Sequence, residues 1–186
     1  MSEPAWKAAN RAHWDEKVSL HLGPRGYDLT RLRAGHGRFS AIEEVELWPV
    51  DGSRILHLQC HFGSDMYLAE AYPVAMVFDD AAPLPDGRPG FFAPYFSREV
   101  VVMEEAHDYI DETTTVANAT TYTWVHPLGD IISGLLRAGM NLDWLHEHDG
   151  VPWRMFDLLV RSTDGLWRWP DKPWLPLAFS LRATRR

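Results

Sequence analysis

Tyr122, Trp124 and His126 alternate through the stretch "TTYTWVH" (120–126), a spacing that predicts one strand face carrying two aromatic rings and an imidazole. An imidazole titrates near neutrality, so proton transfer is the chemistry this residue type offers, and aromatic rings often line small-molecule pockets. The same residues can equally form an aromatic ladder that stabilises a strand pair. Two more histidine pairs invite a chemical reading: His57 with His61, and His146 with His148 beside Asp149. Neither has the spacing of a recognised metal site, so no metal is expected, and satisfied or solvent-facing imidazoles are the plain alternative. Cys60 is the only cysteine. It would be a nucleophile only beside a base, and its strand setting predicts core packing. The chain has neither a nucleophile elbow nor a Walker loop. Glu104, Glu105, Asp108 and Asp111 read as a solvated connection.

Periodicity and punctuation predict the elements that must position these groups. Residues 4–18 read as a helix opened by Pro4, with Trp6, Asn10 and Trp14 near one face. A short helix at 27–34 stops at Gly35, and 42–47 forms a further turn. Residues 54–60 read as a strand. Residues 66–72 read on their own as a helix capped by Ser64 or Asp65 that stops before Pro73, whereas a strand over 67–78 is implied only by a family resemblance. The helix is preferred, because it supplies the crossover that lets a strand at 74–78 return parallel to the one before it. Four prolines and two glycines make 79–96 a long loop. Strands are expected at 98–104, 120–126, 140–149 and 176–184, with Leu142, Trp144 and His146 on one side of the third. Leu128, Ile131, Ile132, Leu135 and Leu136 lie at helical spacing before Gly139. Residues 153–160 read as either helix or extended chain.

The length of 186 residues suits a single domain spanning 1–186. A net charge of −8, from 26 acidic and 18 basic residues, argues against sequence-independent binding to nucleic acid or an anionic membrane. No window approaches the roughly 20 apolar residues of a membrane span. One cysteine allows no intrachain disulfide, and "MSEPAWKAANRAHWDEK" lacks the apolar run of a signal peptide, so a cytoplasmic location is expected. The nine tryptophans fill a core or line a small-molecule pocket.

Several words of the sequence, in order, resemble a known family. "NRAHWDEKV", "YDLTRLRAG" and "ILHLQCHFGSD" are similar to the N-terminal third of bacterial class I S-adenosylmethionine-dependent methyltransferases. "TYTWVHPLGDIISGLLRAGMNLDWLHEHD" and "PLAFSLRATR" are similar to the C-terminal third. The resemblance implies a mostly parallel sheet flanked by helices, with S-adenosylmethionine across the C-terminal ends of the first strands. It places Gln59, His61 and Gly63 at the turn that holds this cofactor. It also implies His126 as the proton acceptor, Tyr122 and Trp124 as walls of a small-molecule substrate pocket, and Trp14 and Tyr27 as its cover.

The middle of the family pattern has no counterpart here. Three strand-and-crossover units are missing, on the order of 90 residues, and the seam falls near Met66-Tyr67, between 1–66 and 67–186. For the acid that grips the ribose, about 20 residues past the turn, only Asp79 beside Asp80 offers a stand-in; a plain loop start is the alternative. The expected fold is α/β: an incomplete Rossmann-like methyltransferase sheet with N-terminal helices and C-terminal antiparallel strands. Two functions lead, and a third, cofactor-free chemistry in an aromatic pocket, has no motif behind it. One is methyl transfer to a small-molecule nucleophile, achieved mainly by positioning. The other is a non-methylating remnant that binds a small molecule or dimerises, with the edges left by the missing strands favouring a homodimer.

Overall fold

A computed structural model of the chain describes residues 3–27, 29–34, 40–46, 69–108 and 113–185. In chain order its elements are α1 (Ala5–His21), α2 (Leu29–Arg33), α3 (Ala41–Glu46), β1 (Ala69–Ala71), β2 (Phe78–Asp79), β3 (Gly90–Phe91), β4 (Val101–Glu104) and β5 (Thr120–Thr123). They continue as α4 (Leu128–Arg137), β6 (Met140–His148), β7 (Gly150–Val151), β8 (Val160–Arg161), β9 (Trp167–Arg168) and β10 (Ala178–Arg185). The chain is a mixed helix-and-strand protein, and every strand pair among the described residues is antiparallel. The predicted strand at 54–60 lies outside the described residues, as does the seam at 66/67.

Two compact units are distinguished, one from Met1–Gly37 and Arg98–Trp124, the other from Arg38–Ser97 and Val125–Arg186. In the first, α1 packs on β5, which pairs with β4. Its buried residues are His13, Lys17 and His21, spaced by four, so the face turned inward is polar. Side chains of α1 replace missing backbone partners. Asn10 donates through Nδ2 to the Tyr122 carbonyl at 2.8 Å and accepts the Tyr122 N–H at 2.7 Å. Glu16 accepts the N–H groups of Ala117 and Asn118 at 2.7 and 2.8 Å, and these bonds hold its carboxyl below the usual carboxylate range.

In the second unit, β10 lies between β1 and β6. Its residues Ala178, Phe179, Ser180 and Leu181 are all buried, as a central strand covered on both faces requires. Ala75, Val151, Phe156, Leu159, Trp169, Leu175, Leu177 and Ala178 form the core, and Trp169 donates its indole N–H to the Leu175 carbonyl. Helix α4 reaches β6 through Gly139, whose φ of +81° is the left-handed conformation that ends a helix where glycine tolerates it.

Two local expectations are corrected. Ala69–Ala71 is strand where the spacing favours helix, because it pairs with β10 from Ala69↔Ser180 to Ala71↔Ala178. Residues 74–78 are not a buried strand: Ala75–Val77 form a 3-10 turn ahead of the two-residue β2. At Ala69–Ala71 a distant partner overrides the local pattern, whereas the turn at Ala75–Val77 is closed locally, by the Ala75 and Met76 N–H groups on the Tyr72 carbonyl and the Val77 N–H on that of Val74.

Candidate functional site

Strand β6 carries the densest chemistry among the described residues. Along its pairing with β10, Arg182 faces Trp144 and Ala183 faces Leu142, so Asp143 is an extra residue, a bulge. The bulge puts Leu142 on one sheet face and Trp144, His146 and His148 on the other, together with Ser180. Leu142 therefore does not share a side with Trp144 and His146, as strict alternation predicts.

Over this histidine face lies the end of α3. Ser40 and Glu43 cap that helix reciprocally: Glu43 Oε2 accepts the Ser40 N–H at 2.6 Å, and Ser40 Oγ accepts the Glu43 N–H at 3.3 Å. The short helix so fixed places Glu46, whose side chain is 9% exposed. Glu46 Oε1 accepts from His146 Nδ1 at 2.7 Å and lies 3.7 Å from His148 Nε2. The His146 ring is stacked on Trp144, with centroids 4.4 Å apart and planes 10° from parallel. His148 Nε2 is 2.7 Å from Ser180 Oγ. Burial holds the His148 imidazole below its ordinary value, assisted by His146 and opposed by Glu46 and Asp149. The arrangement is not a Ser-His-acid triad. Ser180 is fully buried, and both it and Glu46 meet the same ring nitrogen of His148.

Two open clefts of about 250 Å³ each meet at His148 and Asp149. One is walled by Glu147, Trp174 and the prolines beside it, the other by Glu46, Asp164 and Arg168. Their charges are matched internally. Arg168 donates to both oxygens of Asp164 at 2.8 Å and through Nε to Asp149 at 3.0 Å. Those bonds pull the Asp164 carboxyl to about 2 and raise the guanidinium. Glu147 accepts the Tyr72 hydroxyl, and burial together with that bond pushes the phenol up to about 12. No group of His, Cys, Asp and Glu that could hold a metal ion occurs among the described residues.

Gln59, His61 and Gly63 lie outside the described residues, as do His57 and Cys60. Asp79 closes its own turn, accepting the Ala81 N–H through Oδ1 at 2.9 Å, and Asp80 accepts the Asp157 N–H. His126 is exposed just before α4 in the second unit. Tyr122, Trp124, Trp14 and Tyr27 belong to the first unit. There Trp124 meets Trp6 edge-on at 5.2 Å and Tyr27 meets His21 at 5.5 Å. Trp6 and His21 sit near opposite ends of α1, about 22 Å apart along a helix axis, so Tyr27 and Trp124 do not face one common pocket. Trp14 lies between them, 44% exposed, with the Lys17 ammonium 5.2 Å from its ring. Lys17 itself is buried against Glu105 and Asp108 at 3.7 and 3.6 Å, and His13 and His21 flank it against the same two carboxylates. The acids expected to be solvated therefore include Asp108, which is fully buried as a partner of α1.

No family model, curated protein or solved structure matches the chain. Among the described residues, no helix is long and apolar enough to cross a membrane. The His146-x-His148 alternation is visible in the sequence, whereas Glu46 stands 100 residues from its partner and carries no local signal.

Proposed function

We propose that the chain is a methyltransferase-related module that binds a compact small molecule beside His148 and does not transfer methyl groups unaided. The observation that carries this reading is the antiparallel pairing of every described strand pair. A Rossmann-like cofactor site is made from parallel strands joined by crossovers, and its ligand rests on their C-terminal ends. The clefts at His148 add to it: about 250 Å³ each falls short of the roughly 300–1,000 Å³ of common ligand pockets. A single ring with polar substituents suits that room better than adenosine joined to methionine. In this reading Gln59, His61, Gly63 and Asp79 are inherited positions rather than a working S-adenosylmethionine site, and His126 has no methyl acceptor to deprotonate. The setting is the reducing cytoplasm and the working unit a homodimer.

Calorimetric titration with S-adenosylmethionine, paired with a solution mass, tests this. The expected result is no saturable heat up to millimolar cofactor and the mass of a dimer. Saturable micromolar binding by a monomer contradicts it and restores methyl transfer as the function.

A further inference from the structure

We infer that His146 Nε2 is a proton-accepting site, able to activate water against a small substrate with an electrophilic ester carbonyl. The inference does not depend on the methyltransferase reading. An ionised carboxylate can only accept hydrogen bonds, so the 2.7 Å contact to Glu46 requires His146 Nδ1 to carry the proton. In the neutral ring the lone pair is then on Nε2. Three features keep it there and available: Glu46 is nearly buried, the ring is fixed in plane against Trp144, and the His146 side chain is 52% exposed. No hydrogen bond engages its Nε2 among the described residues. His148 differs, because its Nε2 is occupied by Ser180.

The step balances without any other reactant. Water attacks the acyl carbon as Nε2 takes its proton. The bond from the acyl carbon to the leaving oxygen breaks, its electron pair leaves with the alcohol or phenol, and the imidazolium returns its proton to solvent. One ester and one water become one acid and one alcohol. A carbonyl that is already activated is the appropriate class, since the structure supplies a base rather than an assembled oxyanion hole.

Two measurements on the full chain test the inference. In long-range proton–nitrogen correlation spectra at pH 8, His146 is expected as the Nδ1–H tautomer in the wild type, and in Glu46→Gln the tautomer preference weakens. With 4-nitrophenyl acetate as probe, His146→Gln is expected to lower the rate about tenfold or more and Glu46→Gln by a smaller factor. The exposed His107→Gln control stays within twofold of the wild type by the same reasoning. An Nε2–H tautomer at His146 overturns the inference, and so does a His146→Gln rate equal to that of the wild type.

Discussion

At His148, a ring nitrogen bonded to a buried serine makes the pH response of the second unit readable. An unfolded chain binds a proton at this residue near its ordinary value of 6.5, whereas the folded chain, in which burial opposes the charge, binds it only at lower pH. The contribution is therefore fully present above 6.5 and declines as pH falls towards the folded value. Urea midpoints measured at pH 7.5 and pH 5.5 should differ in that direction, and His148→Gln should shrink the difference; an unchanged difference would detach the effect from this ring. Asn10 makes the corresponding prediction in the first unit. It offers both a donor and an acceptor to the backbone of Tyr122. Asn10→Ala should cost about 1–3 kcal/mol in denaturant unfolding, because a partly buried N–H and carbonyl lose their partners together. Asn10→Asp should also destabilise, since the Tyr122 carbonyl then faces a carboxylate.

Elements couple these residues to one another. Helix α3 has six residues, too few to hold itself, and its capping box fixes where Glu46 points. Ser40→Ala should cost about 1 kcal/mol by loss of the cap. It should also loosen the Glu46–His146 bond, visible as a His146 tautomer shift without any change at the histidine; a destabilised protein with an unaltered His146 signal would separate the cap from the site. Local pattern made α1, α4, β6 and β10 legible in advance, since each carries its own periodicity and a Pro or Gly boundary. The Ala-rich stretch of β1 has no such signature, and its strand conformation comes from β10, more than 100 residues away along the chain. The bulge at Asp143 was illegible for the same reason, because it exists only as a mismatch between two strands.

For the whole molecule, the stretch 55–65 lies outside the described residues, while the stretches 121–149 and 176–185, singled out for the same resemblance, contain β6 and β10, on which the candidate site rests together with α3. Of that site the two histidines, Trp144 and Asp149 could be picked out beforehand; Glu46 and Ser180 join them through tertiary pairing. The polar underside of α1 was likewise hidden. His13, Lys17 and His21 look like surface residues until Glu105 and Asp108 are brought beneath them.

A crystal structure grown with millimolar S-adenosylmethionine decides whether a single chain holds this cofactor. The expected result is β1 antiparallel to β10 and no nucleoside held by the chain. Density for adenosine enclosed within a single copy of this polypeptide would contradict it.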